Sequence, residues 1–497
     1  MTTIIRRPDL VRGAEFLFFD AGHNLLVADK LLSGHSLYRD IFYPYSPLSP
    51  YIYTVWAYLF GNTPTTYLLL LAAISAVNIC LGYILVRRAT GPATAVVTSV
   101  GLLALLPVPG AIAGGFTVSP YLVLERTLLL MVALCWRPVG RSWRSSISLG
   151  ITLGVWQGVK FGGGIFAGST ILLLDVLYLF ATGFSKAPLR AWIRSLPVMA
   201  AAFLVVELIW VGLAFRTGPP ALALDSIFPL YMFRAYSVMT ADIRWPMWNG
   251  WRQAVGQQLL PVSAGVLGLV GLAGWLRSLR RGTDAEKERA RAAGGIFVTL
   301  LFYLMSTFTY FRHVFHFQQF LWALVPAAAW QLQRLPIRFR AGVLLLWAPG
   351  ILLVLRSAFL TAPSTSMELV HLPTGGSIVV DSMIKERLSL LAGLAAEGPV
   401  LYAPVGSGWH FAYRAPIATR HSWFFAPDVI RAYDRAEFVR SLNQIHAVVT
   451  CAPGGSLSVP LSSVFPLPRE ISAEVYSRLE LRKTEAGCRV YQVRHAS

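Results

Sequence analysis

The sequence predicts an α-helical polytopic membrane protein with about ten transmembrane helices and a small C-terminal α/β domain on the outer side. Three observations carry this prediction. Of the 497 residues, 55% are hydrophobic and only 13% are charged, roughly half the charged fraction of an ordinary globular protein. Apolar runs of about the length that spans a bilayer recur between residues 66 and 360. From about residue 364, strand-like and helix-like segments alternate instead.

Ten apolar runs approach the roughly 20 residues that a bilayer-spanning helix requires. They lie near residues 66–86, 92–109, 120–136, 146–160, 164–182, 196–215, 256–275, 294–311, 317–333 and 341–360. Between residues 62 and 360, seventeen Lys and Arg residues fall in one alternating set of loops and six in the opposite set. The positive-inside rule makes the richer set cytoplasmic, which places residues 16–61, the 216–255 loop, residues 310–316 and the C-terminus outside.

The net charge of +19 does not indicate a nucleic-acid partner, because the cations are concentrated in these loops and no RNA- or DNA-binding motif accompanies them. Residues 1–15 lack the apolar region of a signal peptide. Residues 1–19 are also too short and too charged to span the bilayer. Either a first helix is missing ahead of the first outer loop or the N-terminus is exported without a helix, and we expect the missing helix.

Residues 1–363 are predicted to form the membrane domain and residues 364–497 a separate outer domain. Strands are expected at 377–381, 399–405, 446–451 and 488–493, and helices at 383–397, 428–442 and 471–482. This alternation predicts a small parallel or mixed sheet. Cys451 and Cys488 lie in this polar region and are able to pair, although two cysteines specify no framework.

The segment Phe16–Gly61 departs from the apolar pattern. It places charged and titratable residues among aromatics and prolines: Asp20, His23, Asp29, Lys30, His35, Arg39 and Asp40. Residues 22–32 have the apolar spacing of an interfacial amphipathic helix, which Gly34 would end, and residues 43–50 are too rich in proline for regular structure. Asp20 follows an apolar patch, where a partly desolvated carboxylate can act as a base or orient a hydroxyl. The alternative is an aromatic interfacial belt with solvated charges.

Two further polar elements lie at predicted helix ends on the outer side. Lys160 follows a helix among glycines, which let a ligand approach closely, and its ammonium can pair with a phosphate. The alternative is a lysine that only marks the membrane interface. Glu125 lies beside Arg126 early in the 120–136 run, where the two charges are able to line a cavity.

Arg312, His313 and His316 occupy the predicted outer turn between two late spans. If this turn is helical, Arg312 and His316 share one face, with His313 at its margin. An arginine with histidines suits phosphate oxygens, whereas a solvated loop is the alternative. The two histidines also have the spacing of metal ligands, but no third ligand is apparent. No metal site is assigned, and dependence on a divalent metal is left open.

The pattern Asp-x-x-His-x4-Ala-Asp-x-x-Leu-x-Gly-x3-Tyr-Arg-Asp, which begins at Asp20, leads into a proline-aromatic segment ending in Leu-Phe-Gly. It resembles the first outer loop of GT-C glycosyltransferases, and most of all the family-39 and aminoarabinose-transferase-like group, which uses polyprenyl-phosphate sugars. The resemblance implies that Asp20 is the catalytic carboxylate. Ala21 stands where the family usually has Glu, so Asp40 and Glu125 are candidates for a second acid.

The resemblance extends to the lysine and the late arginine-histidine elements, which implies a donor-phosphate site formed by Lys160, Arg312, His313 and His316. It also makes three residues of the outer loop candidates for contacting the substrate: His23, Arg39 and Tyr45.

The activity that the resemblance implies is an inverting transfer of a hexosyl or pentosyl group. A polyprenyl-phosphate sugar would be the donor, and a hydroxyl of a glycan, lipid or protein the acceptor, on the outer face of the inner or plasma membrane. No cofactor is required by the pattern. Three alternatives stay open: a lipid-linked-glycan ligase or polymerase, a polytopic transporter or flippase, and a non-catalytic remnant. A transporter is expected to have related halves with broken helices, and the sequence lacks that symmetry.

Overall fold

The computed structural model describes residues 20–43, 46–105, 120–137, 142–217, 255–309, 321–345, 347, 368–403, 406–422, 424, 430–451 and 460–494. Within these ranges the chain is helical up to residue 347, and all the named strands follow residue 367. A mostly helical chain that ends in a small sheet is therefore confirmed.

The last described helical residues before the strands lie at 337–345 and 347. Eleven α-helices of the described ranges precede this stretch. They are α1 (Asp20–Leu32), α2 (Leu48–Phe60), α3 (Pro64–Ala89), α4 (Pro92–Leu105), α5 (Pro120–Cys135), α6 (Trp143–Val159), α7 (Gly163–Ala181), α8 (Lys186–Thr217), α9 (Val255–Arg281), α10 (Asp284–Thr309) and α11 (Val325–Arg334). Helical residues overlap each of the ten predicted spans. Among the described residues, three stretches are long and apolar enough to cross a membrane: Pro64–Ala89, Gly163–Ala181 and Lys186–Arg216. A total of ten transmembrane helices stays a prediction.

The predicted outer loop contains two helices. α1 matches the amphipathic helix expected at residues 22–32, and the chain leaves it through Gly34, whose φ of 85° suits glycine. α2 begins at Leu48, so the expectation of irregular structure as far as residue 50 was wrong. Pro47 precedes the helix and Pro50 lies in its first turn, where a missing N–H costs no helical hydrogen bond.

Helices α6 and α8 approach each other at the level of the backbone. A Cβ added to Gly150 would lie 2.2 Å from the carbonyl oxygen of Met199, and one added to Gly154 would lie 2.6 Å from the Cβ of Val206. Small residues allow such close helix contacts. This contact fixes the helix that carries Lys160 at its C-terminal end.

The strands form a hairpin and a mixed sheet. The hairpin is β1 (Glu368–His371) with β2 (Ser377–Val380), and the sheet has the order β3-β4-β6-β5, from β3 (Val400–Ala403), β4 (Ala447–Cys451), β5 (Leu479–Glu485) and β6 (Cys488–Val493). β3 and β4 are parallel, while β6 runs antiparallel to β4 and to β5, which agrees with the predicted mixed sheet. A disulfide joins Cys451 to Cys488, which face each other across β4 and β6.

Five described helices accompany these strands: α12 (Ser382–Glu397), α13 (Ser407–Tyr413), α14 (Arg435–Ser441), α15 (Leu461–Val464) and α16 (Arg469–Ser477). The helix predicted at residues 471–482 ends too late, because residues 479–482 belong to β5. β5 is an exposed edge strand with few apolar residues, so its sequence lacks the alternating pattern of a strand. Its hydrogen bonds with β6 determine its strand conformation.

One hydrophobic core joins α1 and α2 to the C-terminal region. Leu25 of α1 and Tyr53 of α2 belong to the same buried cluster as Leu391 of α12 and Phe411 of α13. The separate domains predicted at residues 1–363 and 364–497 therefore bury apolar surface against each other. α13 packs directly on α1, the helix that begins at Asp20.

Candidate active site

A buried ion pair joins two residues that the sequence suggested separately. Nζ of Lys160 lies 3.4 Å from Oε2 of Glu125. The Glu125 side chain is fully buried, and the Lys160 side chain is 13% exposed. Trp156 donates its indole N–H to the other oxygen of Glu125, at 3.0 Å. Both carboxylate oxygens of Glu125 are therefore engaged by donors.

The local sequence explains why these groups meet. Trp156 and Lys160 are four residues apart on α6 and its C-cap, and Tyr121 and Glu125 are four residues apart on α5. Side chains at that spacing lie on one face of a helix. The two faces oppose each other, because Nζ of Lys160 also lies 5.0 Å from the ring centroid of Tyr121. Sequence reasoning missed Trp156 and Tyr121, although this spacing could have revealed both.

The turn after Lys160 leaves little spare volume beside the pair. A Cβ added to Gly163 would lie 2.3 Å from the indole nitrogen of Trp156 and 3.2 Å from Oε1 of Glu125. Gln157 accepts a hydrogen bond from the backbone N–H of Gly162, whose φ of 86° is left-handed. Glycine is therefore required at two positions of this turn, for volume at one and for backbone conformation at the other.

A second cation lies next to Glu125 on α5. Arg126 is 2% exposed, and within the described ranges no acceptor lies within hydrogen-bonding distance of its Nε. Of these three described residues, Lys160 and Arg126 are cationic and Glu125 is anionic. Two cations beside one carboxylate are able to bind an anionic ligand.

The helix that begins at Asp20 is connected to this pair through α2. α2 packs against α1 on one side and contacts α5 and α6, the helices of Glu125 and Lys160. Asp20 is the first residue of α1, and its side chain lies outside the described atoms. The catalytic role of Asp20 stays a prediction.

The other acid suggested by the resemblance has local partners. Asp40 accepts hydrogen bonds from Arg39 at 3.0 Å and from the backbone N–H of Ser36 at 2.7 Å. The hydrogen bond from Arg39 lowers the pKa of Asp40 below its usual value. Both predicted residues, Asp40 and Arg39, thus stabilise the turn that follows α1, and Arg39 is largely exposed.

His23 is enclosed rather than facing an open cavity. It is 1% exposed, its ring stacks on Tyr43 with the centroids 5.5 Å apart, and its Nδ1 shares a 2.9 Å hydrogen bond with Oγ of Ser407. Burial lowers the pKa of His23 to about 3, so the ring is neutral at physiological pH. Its predicted contact with substrate stays untested, and its observed partners belong to the outer loop and the C-terminal region.

Several predicted site residues lie outside the described residues: Tyr45, Arg312, His313 and His316. Residues 218–254, most of the loop predicted at 216–255, lie outside them as well. Among the residues that are described, no group of three or more His, Cys, Asp or Glu side chains is arranged to hold a metal.

No protein-family model and no curated protein sequence matches this chain. The chain is similar to the apo structure of ArnT from Cupriavidus metallidurans, with 14% identity and a TM-score of 0.53 over 99% of this chain and 95% of that one. The chain has the overall fold of ArnT. The GT-C resemblance read from residues 20–61 is therefore confirmed at the level of the fold.

Two further solved structures resemble this chain less well. ArnT from the same organism bound to undecaprenyl phosphate has 15% identity and a TM-score of 0.44, over 96% of this chain and 94% of that one. The Archaeoglobus fulgidus oligosaccharyltransferase in complex with Zn and sulfate has 12% identity and a TM-score of 0.49. That match covers 90% of this chain but only 66% of the oligosaccharyltransferase. The fold assignment therefore rests on the comparison with apo ArnT alone.

Proposed function

We propose that the chain is a membrane glycosyltransferase. It transfers a hexosyl or pentosyl group from a polyprenyl-phosphate donor to an acceptor hydroxyl on the outer face of the membrane. The observation that carries the proposal is the buried Glu125–Lys160 pair, 3.4 Å apart, in a chain with the fold of ArnT. Residues 1–363 would form the membrane part, and residues 364–497 the part exposed to the periplasm or the extracellular space.

In the proposed reaction, the acceptor oxygen attacks the anomeric carbon of the donor sugar. The bond from that carbon to the phosphate oxygen breaks, and the polyprenyl phosphate leaves. Asp20 takes the acceptor's proton, and attack from the side opposite the phosphate inverts the anomeric configuration. The leaving phosphate gains negative charge as the bond breaks, so a cation placed beside it lowers the barrier.

Lys160 is the proposed partner of that phosphate, with Arg126 as a second buried cation. The proposal is supported by two buried or nearly buried cations, Lys160 and Arg126, which lie beside Glu125 and are able to bind phosphate oxygens. We also propose that the phosphate contacts Arg312, His313 and His316, which lie in the predicted outer turn between two late spans. Because both oxygens of Glu125 accept hydrogen bonds, we assign it the role of counter-ion to Lys160 rather than that of second acid.

The test is a transfer assay with membranes that contain the full chain. Polyprenyl-phosphate sugars labelled in the sugar are added, and a labelled glycan, lipid or protein product is sought. Asp20→Asn should abolish the product while the protein remains folded and inserted. Full activity of Asp20→Asn would overturn the assignment of Asp20, and absence of product with every donor from the unmodified chain would overturn the proposed activity.

A further inference from the structure

A continuous set of buried contacts ties the C-terminal region to the outer helix α1. Ser407, the first residue of α13, shares hydrogen bonds of 2.9 Å with Nδ1 of His23 and with Oγ of Ser422. All three side chains are at most 2% exposed. His23 lies three residues after Asp20, which is close to one turn of α1.

A second contact holds the turn that follows α1. Tyr38 has a φ of 70°, a left-handed conformation that is strained for a bulky residue. Arg420 donates from its guanidinium to the carbonyl of Tyr38, at 2.6 Å, and its own carbonyl accepts the N–H of Phe42, at 2.9 Å. Arg420 is itself oriented by a buried ion pair with Asp434.

The two contacts act on the same segment from both ends. Ser407 and Ser422 hold the first turns of α1 through His23, while Arg420 holds the turn at Tyr38. Each contact replaces water with a directed hydrogen bond inside a buried interface, where an unsatisfied polar group is costly. The C-terminal residues thereby restrict the orientation of the helix whose first residue is Asp20.

We infer that Ser407, Ser422 and Arg420 are positioning residues for α1, and that the C-terminal region thereby sets the placement of Asp20. The effect on catalysis rests on the proposed function. The structural coupling between the C-terminal region and α1 does not depend on it. His23 transmits the restraint as a neutral hydrogen-bonding side chain. None of these residues needs to touch the donor or the acceptor.

The chain offers a matched control for this contact. His371 and Ser377 share a hydrogen bond of the same type, at 2.7 Å, on the hairpin β1–β2, where His371 is exposed and Ser377 is half-buried. Substitutions in that pair test the chemistry of a His–Ser hydrogen bond without altering the interface with α1. A general loss of C-terminal stability would affect both pairs, whereas a positioning effect is confined to His23 and Ser407.

The first experiment measures hydrogen exchange in the purified full chain and needs no activity. Ser407→Ala should increase deuterium uptake in peptides that cover residues 20–43 and leave uptake across Gly163–Ala181 unchanged. Ser377→Ala should leave uptake at residues 20–43 unchanged. Equal uptake at residues 20–43 in Ser407→Ala and the unmodified chain would overturn the coupling.

The second experiment measures transfer kinetics. Ser407→Ala should lower kcat about five- to tenfold, the effect of one buried hydrogen bond, with KM for the donor unchanged. His23→Asn keeps a polar atom near the position of Nδ1 and should retain more activity than His23→Leu. Equal kcat values for these two variants, or an equal loss in Ser377→Ala, would overturn the positioning role. If the unmodified chain transfers no sugar, the proposed function fails, while the exchange result still decides the coupling.

Discussion

Nζ of Lys160 lies 3.4 Å from Oε2 of Glu125, and this pair connects the C-terminal end of α6 to the first turns of α5. Arg126, the next residue on α5, is a second buried cation beside Glu125. In an apolar environment such a pair holds each charge in place more strongly than it would in water. The lysine is thus held between α5 and the C-terminal end of α6 before any ligand arrives.

The first prediction concerns the charge of Lys160. Lys160→Met should raise KM for the polyprenyl-phosphate donor and lower kcat by about a hundredfold, because the variant lacks a cation for the leaving phosphate. Lys160→Arg keeps the charge and should retain more activity. The measurement is transfer rate against donor concentration, and equal rates for Lys160→Met and the unmodified chain would contradict a role at the phosphate.

A second prediction tests whether Glu125 and Lys160 stabilise the protein by interacting with each other. Glu125→Gln leaves the Lys160 charge without its counter-ion and should destabilise the protein by about 3–5 kcal/mol. The double variant Glu125→Gln with Lys160→Met removes both charges and should recover most of that loss. Thermal unfolding in detergent measures both effects. Additive losses in the double variant would show that the two side chains do not interact.

The third prediction uses two glycines of α7. Gly163→Ala should reduce activity about tenfold or more, because the added Cβ would lie 2.3 Å from the Trp156 nitrogen that hydrogen-bonds Glu125. Gly168→Ala places its Cβ 3.7 Å from Leu153, an ordinary contact, and should have little effect. Comparing transfer rates and melting temperatures of the two variants distinguishes a local effect from a change in helix propensity.

A fourth prediction concerns acid pH. Burial lowers the pKa of His410 to about 4, a shift that the Ala415 backbone opposes and Lys30 reinforces. The unfolded chain therefore binds a proton below about pH 6.5 that the folded chain does not, so stability falls as the pH drops from about 6.5 towards 4. At pH 5 the loss is about 2 kcal/mol for this histidine.

Melting temperatures in detergent at pH 7.5 and pH 5 test this effect. The unmodified chain should melt at a lower temperature at pH 5, and His410→Leu should show a smaller difference between the two pH values. The exposed His371→Asn serves as the control. If His410→Leu had the same pH dependence as the unmodified chain, His410 would not be the group responsible.

The sequence predicted the helices well, because long apolar runs restrict where a chain can cross a lipid bilayer. The amphipathic helix at residues 22–32 and the strands at 446–451 and 488–493 were also predicted correctly. β5 was not, because an edge strand with charged residues on both faces has no local pattern of its own and depends on β6.

The candidate site was predictable only in part. Lys160 and Glu125 stood out as ionisable residues near the ends of apolar runs, but their pairing across two helices 35 residues apart depends on the fold. His23 stood out for its place in the loop motif. Its contact with Ser407, 384 positions later, could not be read from the sequence, because it depends on how the C-terminal region packs on α1.

The disulfide between Cys451 and Cys488 has a consequence for how the protein matures. It joins β4 to β6, and Cys488 is translated 37 residues after Cys451. If residues 364–497 lie on the outer side, as proposed, both thiols are exported to an oxidising compartment, and the bond forms only after the helices that precede the strands have been translated. Depleting the oxidant of that compartment should let a full-length, membrane-inserted chain accumulate with both thiols reduced.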